Sequence, residues 1–187
     1  MRQLKGFSTI ELLVVIAILA ILAIVGLPLM ESAIASYRLS NAVQTISVAV
    51  QRARYLATSE NKVYVLFVKG SRAANHPNSI RIAMDENWDF KPTTTAEKQS
   101  ILWFSVGDKS KIVENAINFG SYSQIGNSKH YLVFEPNGKI RKPDGAQPPV
   151  DPTDNVPRPR LRLRTTVFGH TETMWVYFGR FGQVMVH

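Results

Sequence analysis

Two places in this 187-residue chain hold charge where charge is costly, and each implies a particular chemistry. The first is "KGFSTIELLVVIAILAILAIVGLPLM" (Lys5–Met30), in which Glu11 is the single ionisable side chain after Lys5. A carboxylate near the middle of a bilayer costs about 2.5–3.5 kcal/mol, so it needs a partner. A cation meeting it in a low-dielectric setting attracts it far more strongly than in water. The second place is "RPRLRLR", in which Arg158, Arg160, Arg162 and Arg164 alternate with Pro159, Leu161 and Leu163. On a strand, a period of two puts the guanidiniums on one face and the leucines on the other. Like charges so placed repel each other unless carboxylates or a polyanion offset them, and only Asp151 and Asp154 are close in sequence. The expected chemistry is binding of a polyanion, with DNA the leading candidate. The plain alternative is the solvated outer face of an ordinary strand.

Catalytic chemistry finds little support. His76, His130, His170 and His187 are scattered, without the HxxxH or HExxH spacing of a zinc site. There is no cysteine, hence no disulfide and no thiolate metal ligand. No GxSxG elbow and no phosphate-binding loop occurs. Asp85, Glu86 and Asp89 read as an exposed loop, and Trp88, Trp103 and Trp175 as core or interface residues. The expectation is a protein that is not an enzyme and holds no metal or cofactor. The 22 basic residues against 14 acidic, or 20 against 14 once Arg2 and Lys5 are set aside, favour polyanions or anionic lipid as partners, with solubility alone as the plainer reading.

The elements that position these groups follow from periodicity. Leu12 to Met30 is a stretch of 19 uncharged residues, about 28 Å as a helix, which matches the hydrocarbon core of a bilayer. No small-x-small cleavage site follows it, which argues against a removed secretory signal. Beyond Pro28 the pattern turns amphipathic. Leu39, Val43, Ile46, Val50, Ala53 and Ala57 recur at spacings of four and three, which predicts one helix continuing to about Ser59. From Glu60 onward the chain changes to short β-branched and aromatic runs between turn formers. Strands are predicted at 62–68, 79–84, 101–106, 130–135, 160–168, 174–178 and 183–187, with Pro136-Asn137-Gly138 a hairpin turn. Six of the ten prolines fall between Pro143 and Pro159, which predicts a long, locally stiff loop. The fold class is α+β: one long N-terminal helix, half transmembrane and half amphipathic, packed on the antiparallel sheets of a C-terminal head.

The segment Lys5 to Pro28 resembles the N-terminus of type IV prepilins and of the pseudopilins of type II secretion, in its basic leader, Gly6, Phe7, Glu11 and apolar run. That resemblance implies a leader, 1–6, cut between Gly6 and Phe7 by the prepilin peptidase, which also methylates the new amine of Phe7. It implies that Glu11 pairs with the Phe7 amine of a neighbouring subunit, so that 7–30 is a transmembrane and assembly helix. The head, 31–187, would be helical to about 59 and β-rich over 60–187. "FEPNGKI" (Phe134–Ile140), "VYFGRFGQVMV" (Val176–Val186) and "ARYLATSENKVYVLF" (Ala53–Phe67) resemble the head of FimT/FimU minor pilins and H-type pseudopilins.

The implied role is a minor pilin that helps initiate or prime a type IV pilus, with an H-type pseudopilin of a type II secretion system as the alternative. The implied location is the bacterial inner membrane, crossed once with the head in the periplasm, and then the pilus or pseudopilus. The implied partners are other pilins or pseudopilins, the peptidase, the inner membrane and DNA. FimT-type proteins carry a Gly-Arg-x-Arg motif for DNA. Here Gly179-Arg180-Phe181-Gly182 keeps the first arginine, Arg180, and replaces the second by glycine. A signal-anchored binding protein that never polymerises shares the helix but leaves Glu11 and the Gly6–Phe7 junction unexplained.

Overall fold

A computed structural model describes residues 8–70, 76–85, 95, 101–107, 109–113, 130–141, 159–179 and 181–186. A single helix, α1 (Thr9–Ser59), has 51 residues and therefore extends about 76 Å. It begins at Ser8, whose carbonyl accepts the N–H groups of Glu11 (3.1 Å) and Leu12 (3.2 Å). The helix passes unbroken through Gly26 and Pro28. It ends where the Glu60 N–H donates to the Leu56 carbonyl and Asn61 turns the chain with φ 52°, a conformation asparagine tolerates.

Eight strands follow: β1 (Val63–Lys69), β2 (Ser79–Asp85), β3 (Leu102–Ser105), β4 (Ser110–Ile112), β5 (His130–Phe134), β6 (Arg160–Val167), β7 (His170–Phe178) and β8 (Val184–Val186). They form two four-stranded antiparallel sheets, ordered β3-β2-β1-β5 and β4-β6-β7-β8. The α+β class is as the sequence predicts. Two details differ. Strand β4 falls in a run too short and too basic to score as a strand, and it exists because it pairs with β6. Strand β7 starts at His170 rather than Met174, since a tight turn brings His170 opposite Val167.

The helical stripe packs as its spacing requires. Leu39, Ile46, Val50, Ala53 and Ala57 are buried, and Val43 packs against them. Ala42, Ala49 and Leu56 complete the face. Both sheets lie on it, contributing Leu66, Ile80, Leu132 and Phe134 from the first and Leu161, Leu163, Val176 and Phe178 from the second. The sheets differ on their far sides. Strand β1 is buried along nearly its whole length, and a second cluster of Val63, Val65, Phe67, Ala83, Tyr131 and Val133 lies on the opposite face of its sheet. Strand β6 alternates instead, with Leu161, Leu163, Thr165 and Val167 inward and Arg164 and Thr166 exposed. A continuous apolar run thus marks a sheet covered on both faces, and an alternating one a sheet with a face in solvent. Asp85, expected in an exposed loop, is instead buried at the end of β2, because the strand runs one residue beyond the predicted boundary.

Candidate functional site

In the first half of α1, every described side chain from Ser8 to Ile24 is exposed. Ile10, Leu13, Leu19, Ile21 and Ile24 are among the apolar groups left uncovered. A helix apolar on all sides belongs in a uniformly apolar medium, and this one is long and apolar enough to cross a membrane. Glu11 lies one turn from the helix start. Its Oε2 accepts the Ser8 backbone N–H at 3.4 Å, a long and therefore weak contact. The spacing Ser8-x-x-Glu11 is that of a capping box, which satisfies donors at a helix N-terminus. The carboxylate is thus turned back toward the start of α1. Gly6 and Phe7 lie outside the described residues.

The arginine face of β6 keeps the predicted sidedness. Arg160, Arg162 and Arg164 share its outer side, and Arg158 lies outside the described residues. The guanidiniums are not equivalent. Arg160 and Arg162 place their guanidinium carbons 4.9 and 5.3 Å from the centre of the Trp175 ring, and Trp175 is the cross-strand partner of Arg162. Cation–ring attraction of this kind is worth about 0.5–1 kcal/mol at exposed sites. It flattens two arginines onto the sheet and leaves them half-buried. Their Nε atoms are buried with no acceptor among the described residues, so each retains an unmet donor. Trp175 thus lies half-buried outside the core, in a contact between β7 and β6. Trp103, similarly, is exposed and sits between Lys69, whose Nζ is 5.0 Å from its ring centre, and a stacked His76.

Arg164 has different neighbours. With Arg38 of α1, Lys109, Lys111 and Thr166 it lines a cleft of about 220 Å³ at the free edge of β4. Two buried hydroxyls hold the cleft together. Ser110 Oγ donates to the Arg38 carbonyl at 3.2 Å, and Thr165 Oγ1 donates to the Lys109 carbonyl at 2.9 Å. Lys111 stands directly opposite Arg164 across the strand pair.

The final turn shows why the glycine–arginine motif is incomplete. Gly179 N–H donates to the Gln183 carbonyl, and Gly182 N–H to the Gly179 carbonyl. Gly182 has φ +74°, and a Cβ there would come within 3.1 Å of Val50 Cγ1. An arginine in that position would be strained and crowded against α1. Arg180 lies outside the described residues.

No family model matches the chain, and no curated protein matches it. Among solved structures, the solution structure of E. coli GspH is similar at 12% identity, covering 81% of this chain and 88% of that one with a TM-score of 0.44.

Several residues of these sites escaped the sequence reading. Lys109-Ser110-Lys111-Ile112 has the same basic–apolar alternation as the arginine run, and that is a usable signal. Ser8-x-x-Glu11 was legible as a cap. Glu172 was not. Its carboxylate accepts hydrogen bonds from Ser32 Oγ (3.1 Å) and Ser36 Oγ (3.0 Å) and lies 3.3 Å from His170 Nε2. The Ser36 hydrogen bond, helped by those of Ser32 and His170, holds it below the usual carboxylate range despite partial burial. Among the described residues no cluster of metal-ligating side chains is found.

Proposed function

We propose that this chain is a membrane-anchored filament subunit of the pilin and pseudopilin kind, one that helps initiate a type IV pilus. The observation that carries the reading is α1 itself. One unbroken helix leaves its first half exposed and apolar, with a single carboxylate, and buries its second half in a head. Lipid satisfies the apolar half before assembly, and the like halves of neighbouring subunits satisfy it afterwards. Within that bundle Glu11 pairs with the amine that cleavage between Gly6 and Phe7 releases on the next subunit. A lone carboxylate facing lipid has no such compensation.

Processing is the direct test. Replacing Gly6 with a bulky residue should leave full-length precursor in the membrane and no mature protein on a size-resolved blot. Normal mature protein from that variant sinks the reading. Whether the filament serves a pilus or a type II secretion system is decided by which filament retains the tagged chain after shearing.

Contact with DNA is a second reading, favoured by the row of Arg160, Arg162 and Arg164 on the outer, solvent-facing side of β6. Phosphate oxygens would accept from the accessible ends of their guanidiniums, without sequence preference and with steep salt dependence.

A further inference from the structure

The end of the head nearest the apolar half of α1 carries three features that work against local stability. Its orientation is fixed by Glu172, which is tied to Ser32 and Ser36 just past the apolar run. After β7, Gly182 lies against Val50, farther up the helix. Strand β7 therefore runs away from the apolar segment, and the β6–β7 turn points back toward it. From Glu172 back to His170 the strand covers about 7 Å, and the Phe168-Gly169 turn extends a few ångströms beyond it. Counted back from Ser32 and Ser36, that brings the turn level with the last turns of the run ending at Met30.

The first feature is Phe168 itself, at φ 46° and 85% exposed, followed by Gly169 at φ 97°. A two-residue hairpin turn with positive φ at both positions favours Asn, Asp or Gly. A phenylalanine there is conformationally strained and leaves its whole ring uncovered. The second is the like-charge pair Lys111 and Arg164 in direct cross-strand register, which is repulsive. The third is the cleft of Arg38, Lys109, Lys111 and Arg164, whose lining holds no carboxylate among the described residues. None of these four cations makes an ion pair among the described residues. Lysines on a free edge strand discourage pairing with another chain, which accounts for Lys109 and Lys111 but not for Phe168 or Arg38.

We infer that this end of the head docks on an anionic lipid surface, with Phe168 in the interfacial layer and the cleft on headgroup phosphates. The inference rests on the reading that α1 crosses a membrane. Arg38 stands eight residues beyond Met30, about 12 Å along the helix. Long cationic side chains reach that far to the headgroup layer. Aromatic rings concentrate at the same depth. A duplex would engage the cations but has no use for an aromatic ring strained at the tip of the hairpin.

The absence of cysteine permits a clean test with the full chain. Phe168→Cys, labelled with a polarity-sensitive fluorophore, is reconstituted in neutral phosphatidylcholine vesicles and in vesicles containing phosphatidylglycerol. Gln51→Cys, higher on the exposed side of α1, serves as the control. The expected result is a blue-shifted probe at 168, quenched by lipid-borne quencher in anionic vesicles and much less so in neutral ones, with the probe at 51 remaining in water. Lys109→Gln and Lys111→Gln should each lower the ratio of docked to undocked head about fivefold. Phe168→Asn, which suits the turn better, should keep or raise thermal stability while flotation-resolved protease protection of the head by anionic vesicles is lost. Protein that floats with vesicles but keeps the probe at 168 solvated overturns the inference and leaves the anchor intact. Protein that does not float overturns the anchor and the inference together. Displacement of the docked signal by duplex DNA at low salt assigns the cleft to nucleic acid and overturns the lipid assignment.

Discussion

From Ile10 to Ile24 the side chains of α1 are exposed, whereas from Ala35 to Ala57 one face of the same helix forms the middle of the head core. The backbone is alike in both halves, and the side-chain pattern is not. The first half has no polar face and therefore selects a medium rather than a partner. The second half alternates buried residues with Gln44, Gln51 and Arg52, and its small residues Ala42, Ala49 and Ala53 let two sheets approach closely. The stability of the head thus resides in the second half, and under the proposed function the capacity to assemble resides in the first. Changes in one half should leave the other's property intact, which makes the division testable.

The largest expected effect is on assembly. Glu11→Val improves the helix as a membrane solute but strands the Phe7 amine within the bundle. Loss of one partner of a buried pair costs about 3–5 kcal/mol, so incorporation into sheared filaments should fall at least about a hundredfold. Insertion, cleavage and head stability should not change. Wild-type levels of this variant in sheared filaments would show that no such pair forms.

Next in size is the opposite experiment. Ile46 is fully buried among both sheets, and Ile46→Ala should lower head stability by about 2–5 kcal/mol, read by urea denaturation of the full chain in detergent. Cleavage at Gly6–Phe7 should proceed as before. A processing defect in this variant would break the division of labour between the halves.

The junction between the halves is expected to respond to pH. Glu172 is held below its ordinary value of 4.5 by Ser36, Ser32 and His170. A depressed carboxylate contributes stability that is fully present above its unfolded value and is lost as pH falls through its folded value. The urea midpoint should therefore stay level above about pH 4.5 as far as this group is concerned and decline below it. Glu172→Gln should flatten that acid limb, at a cost of about 1 kcal/mol near neutrality, because the group is partly solvated. An unchanged acid limb in the variant would show that the Ser32 and Ser36 contacts do not hold the hairpin.

The smallest effect concerns the arginine face. If Arg160 and Arg162 take phosphates, changing both to Gln should weaken duplex DNA binding alike for all sequences and flatten the salt slope by about one unit for each arginine. The readout is an anisotropy titration of the full chain in detergent at several salt concentrations, and Arg180→Gln belongs beside it. Equal binding by the double variant would leave the face a solvated surface stiffened by Trp175.

Much of this molecule is legible from periodicity alone. The stripe from Leu39 to Ala57 emerges at spacings of three and four because side chains on a helix repeat every 3.6 residues. The arginine–leucine alternation of β6 emerges because a strand repeats every two. The apolar run through Met30 specifies its medium by length and composition, and the α+β class follows from one long periodic helix before many short strands. These properties belong to contiguous residues and survive without knowledge of what lies across from them.

The pairings were another matter. Nothing in the linear order says that Trp175 comes under Arg160 and Arg162, that Glu172 reaches Ser32 and Ser36, or that Arg38, Lys109, Lys111 and Arg164 converge on one cleft. Each depends on the register of strands brought together from distant segments and on the angle at which a sheet meets the helix, and a shift of one residue would turn the same side chains to the other face. The sequence by itself therefore determined which residues face inward and which medium α1 requires, because those are properties of a repeat. Tertiary structure alone decided which charges become neighbours, because that depends on register between segments the sequence holds apart.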